Sequence, residues 1–137
     1  MLNTIIKRLD SCTKILDAIE NLSIDEPEQF KKRLEFRISR INSDKIIDPE
    51  RIEQEIVLLA EKLDISEEIF RFKTHLKEMN NILSENELGK KAEFLLQELN
   101  REINTISSKS NQAVISQSAV KIKSELEKIR EQLQNIQ

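Results

Sequence analysis

Glu98, Arg101 and Glu102 fall close together in the stretch FLLQELNREINTISSKSN, residues 94–111. On a helix, residues three and four apart are neighbours, so the two carboxylates share a face and the guanidinium lies beside Glu98. Two converging carboxylates can hold a divalent cation such as Mg²⁺ or Mn²⁺, which takes oxygen ligands and keeps several waters. A neighbouring guanidinium can grip a phosphate through paired hydrogen bonds. The same spacing also describes a surface ion-pair cluster worth only about 0.2–1 kcal/mol, so spacing alone leaves both readings open.

His75 is the single histidine. Its ordinary pKa suits general-base chemistry near neutrality. It stands one position before Leu76 of an apolar series, at the edge of a buried face, where a solvated or hydrogen-bonded histidine is the plainer alternative. Lys109, Ser110 and Asn111 form a polar corner with one positive charge, fit for a phosphate contact or for a routine turn. Asn100 and Asn104 can bond across helices instead.

These side chains need helices to carry them. The chain has 137 residues, with one glycine, two prolines, no tryptophan and no tyrosine, which leaves little for the turns and aromatic strands of a sheet. An all-α fold follows, with a core of Ile and Leu at about 1.5–3 kcal/mol per fully buried side chain.

The apolar spacing fixes where the helices run. Leu2, Ile5, Leu9, Cys12, Leu16 and Ile19 follow a heptad rhythm and predict a helix over residues 2–22. Pro27 after Asp25 and Glu26 marks a second start, continued by Phe30, Leu34, Ile38 and Ile41. Asp48 and Pro49 read as cap and first residue of a third helix, with Ile52, Ile56, Leu59 and Ala60 inward. A fourth start lies at Asp64 or Ser66, and Ile69, Phe72, Leu76, Met79 and Ile82 or Leu83 follow. Gly89, after the polar SENE turn, marks the corner of a hairpin.

The series Ala92, Leu96, Leu99, Ile103 and Ile106 matches Ile115, Ala119, Ile122, Leu126, Ile129, Leu133 and Ile136 in spacing, and the SSKSNQ turn folds the two antiparallel. About five helices are expected, as elongated hairpins or a bundle with coiled-coil-like seams. A seam left exposed would require a second chain, so a homo-oligomer is expected.

Charge narrows the partners. Residues 1–88 carry 14 Lys/Arg against 19 Asp/Glu and residues 89–137 carry 8 against 6, so the net −3 hides a slightly basic second half. An acidic chain is not a freestanding nucleic-acid binder by bulk charge, but that second half can face phosphate. Cys12 is the only cysteine and falls within an apolar stripe, which predicts a buried thiol and fits a reducing compartment. No apolar run reaches a membrane span and Asp10 and Asp17 spoil a signal peptide, so a cytoplasmic protein without a membrane partner is expected.

The local wording adds a family. The blocks LLAEKLDISEEIFRFKTHL, GKKAEFLLQELNREINTISSKSN and LEKIREQLQNI resemble the YicC-like endoribonucleases, whose pattern runs close to AEK-x-DI-x-EE, R-x-x-x-HL, FL-x-QE-x-NRE-x-NTI-x-SKS and REQ-x-QNI. The match runs from about residue 30 to 137, more weakly through the first helix. Ala92, Glu93, Ser107 and Gln137 depart from the pattern, and Ser107 matters most because glycine there would ease a turn.

The resemblance implies the C-terminal part of a metal-assisted endoribonuclease that cleaves RNA phosphodiester bonds, with Mn²⁺ or Mg²⁺ as cofactor. Residues 48–137 would then be the family's C-terminal helical domain, and residues 1–47 a helical segment leading to an absent amino-terminal domain, which another gene can encode. RNA cleavage needs charge stabilised at phosphorus and a deprotonated attacking oxygen. On this reading Glu98, Glu102, His75 and Arg101 are catalytic; Glu55, Glu61 and Asp64 join Glu98 and Glu102 as metal ligands; and Arg101, Lys109, Ser110 and Asn111 meet RNA. For Asp64 a helix cap is the simpler account. The alternatives are a noncatalytic helical oligomerisation module and an inactive remnant of a split gene.

Overall fold

A computed structural model describes residues 2–41, 48–84, 89–110 and 112–136. They form α1 (Leu2–Ile24), α2 (Glu26–Ile41), α3 (Pro49–Leu63), α4 (Ser66–Ser84), α5 (Lys90–Lys109) and α6 (Ala113–Ile136), with no strand among the described residues. Bends at Asp25 and at Asp64 and Ile65, where the sequence also places helix starts, divide two long rods, α1–α2 and α3–α4. With α5 and α6 these rods make an all-α bundle.

Helices α1, α4, α5 and α6 close a ring in which each packs on the next. Arg8 pairs with Glu125 at 3.0 Å and Gln112 Nε2 donates to the Leu22 carbonyl, so α1 and α6 run antiparallel. Lys73 bridges Asp17 and Glu20 of α1 at 3.5 and 3.1 Å, and the α4 residues Ser66 and Ile69 border Ser23 and Ile24, so α4 also runs against α1. The Glu20 hydrogen bond, ahead of the other contacts, raises the Lys73 pKa.

The heptad seams meet inside this ring. Ile5, Leu9, Cys12, Leu16 and Ile19 face the same core as Leu99, Ile103, Ile106, Ile115, Ile122 and Ile129, all solvent-free. The seams that sequence leaves in want of another chain therefore satisfy one another within this one. α1 belongs to the core shared by the helices after residue 48, and the residues around position 47 lie outside those described. Burial pushes the Cys12 thiol up to about 12, aided by the Glu125 carboxylate, which makes it an inert core group.

Local chemistry sets the breaks. Asp48 caps α3 by accepting from the Glu50 amide at 3.1 Å, with Pro49 at the first position. Gly89 opens α5 at φ 126°, a backbone region costly for any residue with a Cβ. Ser107 lies inside α5, which continues to Lys109, so no turn is demanded of it.

α2 and α3 pack on each other and contribute little to the core. Apart from Glu26 at the start of α2 and Leu63 at the end of α3, no described side chain of either is fully buried. They form a hairpin arm at the end of the bundle where α1 stops and α4 begins. No helix among the described residues is long and apolar enough to cross a membrane.

Ile122 sits on the α6 seam with no solvent exposure. Ile122→Ala is expected to lower unfolding free energy by about 2–5 kcal/mol, read as a shifted urea midpoint at unchanged slope.

Candidate metal centre

The α4–α5 pair is a hairpin turned near Gly89, so its two helices run antiparallel with register fixed by their buried faces. Ile69, Phe72, Leu76 and Met79 of α4 and Leu95, Leu99, Ile103 and Ile106 of α5 go to the core. Residues one position off these faces are brought together at the rim of the interface. His75 from α4 and Glu98 and Glu102 from α5 meet there, offering one ligand atom each within 4.8 Å of one another.

Glu102 is only 4% exposed. A buried carboxylate is costly unless its charge is answered. The ion pair it makes among the described residues is a long one, 4.0 Å to Arg71. The His75 Nδ1 atom is likewise buried with no hydrogen-bond partner among the described residues. An under-compensated carboxylate, a second half-buried one and an orphaned imidazole nitrogen make a donor set that a divalent cation would satisfy. Two donors on one small cation stand at most about 4.2 Å apart, so the side chains need move little to share one.

Two guanidiniums flank the trio. Arg101, with 75% of its side chain exposed, stands 3.9 Å from Glu98. Arg71 binds Glu67 at 2.9 Å besides approaching Glu102. Arg71 received no role from the sequence, although R-x-x-x-H places it one helical turn before His75; that i, i+4 spacing was the available signal.

The other expected ligands stand elsewhere. Glu55 lines the groove between α2 and α3, and Glu61 is exposed near the end of α3. Asp64 accepts from the Ser66 amide at 2.9 Å; hydrogen bonds from Ser66, side chain first and backbone second, hold its carboxyl below the usual range. None of the three joins the His75 group.

Lys109 and Ser110 are engaged within the fold. Lys109 pairs with Glu68 at 2.7 Å and reaches the Asp64 carbonyl at 3.4 Å. The Ser110 hydroxyl donates to the Glu26 carboxylate at 3.2 Å. Glu26 and Glu68 are both buried, so the α5–α6 corner answers two carboxylates at the bends of the long rods. Asn111 lies outside the described residues.

The model of the endoribonuclease YicC-like C-terminal region matches residues 19–137. The chain belongs to the YicC-like endoribonuclease family. It is 44% identical over 135 residues to a probable endoribonuclease YicC of Clostridioides difficile, covering 97% of this chain and 46% of that protein. A probable endoribonuclease YicC of Haemophilus influenzae is 41% identical over 140 residues, covering 99% of this chain and 47% of the relative. This YicC-like chain therefore spans about half the length of the curated relatives it matches.

The Lys109–Glu68 pair gives a direct stability test. Lys109→Ala strands a buried carboxylate and is expected to cost about 2 kcal/mol in urea unfolding, whereas Glu68→Gln together with Lys109→Met should recover most of the loss.

Proposed function

We propose that this chain is the helical, metal-holding part of an endoribonuclease that hydrolyses RNA phosphodiester bonds. The observation that carries the reading is the convergence of His75, Glu98 and Glu102 from two helices onto one point within 4.8 Å. The family supplies the reaction class: the relatives bear the description probable endoribonuclease.

Glu98, Glu102 and His75 would hold the cation. One imidazole beside two carboxylates suits Mn²⁺ better than Mg²⁺, which favours all-oxygen surroundings. A bound divalent ion supplies charge stabilisation at the phosphoryl oxygens and lowers the pKa of an attacking water. Arg101, exposed beside Glu98, receives the phosphate; its planar fork matches two phosphoryl oxygens. Arg71 offers a second fork from α4 and balances Glu102 when no substrate is bound. Glu102, nearly shielded from water, acts in surroundings where charge interactions are strong.

A working enzyme on this reading also needs surroundings the trio does not supply. Exposed Phe70, Phe94 and Val120 on the bundle support assembly with further copies or with a segment like the part of the longer relatives that this chain does not cover.

The decisive experiment incubates the chain with end-labelled RNA in Mn²⁺, with and without chelator. Cleavage that the chelator stops, and that Glu98→Gln with Glu102→Gln reduces at least a hundredfold while helicity by circular dichroism is kept, is the expected result. Mn²⁺ titration followed by electron paramagnetic resonance should show one bound ion per chain, lost in His75→Ala with Glu98→Gln. Cleavage that survives the double glutamine variant would overturn the assignment, and unfolding of that variant would make the trio structural.

A further inference from the structure

We infer that the outer face of α2 is a binding surface for single-stranded RNA, with Phe36 as a base-stacking platform set among four cations. The inference rests on the RNA-cleaving reading above and names where the strand is held outside the metal centre.

Lys32, Arg33, Phe36, Arg37 and Arg40 lie on α2, the last four at offsets of one, four, five and eight residues from the first, which places them within a single arc of about 140° of the helix. The arc borders the side turned to α3, where Phe30 and Leu34 share a groove with Ile52 and Leu59, and Arg37 lies one heptad on from Phe30. All five residues are exposed, and Phe36 retains 61% of its accessible surface.

Two features mark this arc. The first is four cations gathered on one arc and left unpaired: among the described residues scattered single lysines such as Lys7, Lys14 and Lys121 also lack an ion pair, while Arg71 pairs with Glu67 and Arg130 with Glu127. Among the described residues, Lys32, Arg33, Arg37 and Arg40 form no ion pair, whereas Lys31, on the neighbouring side, reaches Glu53 at 3.8 Å. The positive charge is also out of keeping with its half of the chain, since residues 30–41 hold Lys31, Lys32, Arg33, Arg37 and Arg40 against Glu35 alone.

The second feature is the aromatic ring. Arg40 lies over the Phe36 ring at 5.5 Å from its centroid, and Arg33 and Arg37 line a depression of about 210 Å³ floored by Phe30 and Leu34. An exposed ring under one guanidinium, with two more guanidiniums on the same helix, matches an unpaired base stacked on the ring with its flanking phosphates on the arginines. A duplex would hide its bases from Phe36, so the chemistry selects single strands.

Position agrees. α2 leaves the bundle at the end where α4 begins, and His75 lies nine residues into α4 from Ser66, about 14 Å of helix rise. Phe36 lies ten residues along α2 from Glu26, about 15 Å of rise further, so a strand of several nucleotides would join the arm to the candidate metal centre.

The test measures affinity of the full 137-residue chain for a fluorescein-labelled, unstructured single-stranded RNA by anisotropy, in chelator to exclude cleavage, across a salt series. Lys32→Gln, Arg33→Gln and Arg37→Gln combined should flatten the slope of log affinity against log salt by about 2, from about 0.7 per phosphate contact. Phe36→Ala should weaken binding about tenfold and Phe36→Trp restore it, while a duplex of the same sequence ignores both changes. Lys7→Gln, Lys14→Gln and Lys121→Gln combined, an equal charge change on the bundle, should have a much smaller effect. The inference is overturned if that control triple weakens binding as much as the α2 triple, or if the α2 variants leave RNA affinity unchanged and instead alter self-association by sedimentation. Arm-dependent binding without metal-dependent cleavage would uphold this surface and sink the nuclease reading, and cleavage with arm-independent binding would do the reverse.

Discussion

The antiparallel packing of α4 on α5 is the contact on which the candidate site depends. Its apolar residues on α4, Phe72, Leu76 and Met79, and on α5, Leu99, Ile103 and Ile106, bury completely or nearly so, which removes freedom of rotation from both helices. Once that rotation is fixed, a residue one step off each seam has a fixed direction too. Glu102 is carried under the rim with little water left around it, and His75 is carried up to meet it. The electrostatic tension of the site is thus a by-product of hydrophobic burial: the seam gains enough, at about 25 cal/mol per Å² of apolar surface, to tolerate a carboxylate that nothing among the described residues fully answers.

A second polar knot sits at the end of the ring where the arm departs. Glu26 and Glu68, each at the first turn of a helix that follows a bend, are taken out of water and met by Ser110 and Lys109 from the α5–α6 corner. Gln112 adds a hydrogen bond to the last turn of α1. Donors from one corner therefore hold the bends of both long rods, which fixes the origin of the arm relative to the bundle. The polar SKS run has this structural employment whatever else it contacts.

Much of the fold was legible in the residues. The spacing of Ile5, Leu9, Cys12, Leu16 and Ile19 is itself a statement of which face is buried, and the structure buries those five. Asp48 with Pro49, and Gly89, announce helix starts because their backbone preferences are local and need no tertiary context. Pro27 after Asp25 and Glu26, and Asp64 with Ser66, likewise mark the bends, but not that the helices on either side of each bend form one long rod.

Sequence by itself determined the all-α class, the buried seams, the inert thiol of Cys12 and the family, because periodicity, composition and wording are properties of the chain read in order. Only the tertiary structure decided that Glu98 and Glu102 meet His75 while Glu55, Glu61 and Asp64 stand apart, and that Lys109 faces Glu68. Carboxylates on different helices look alike along the chain. Which of them converge depends on the rotation and stagger of one helix against another, and those are fixed by how whole apolar faces interlock.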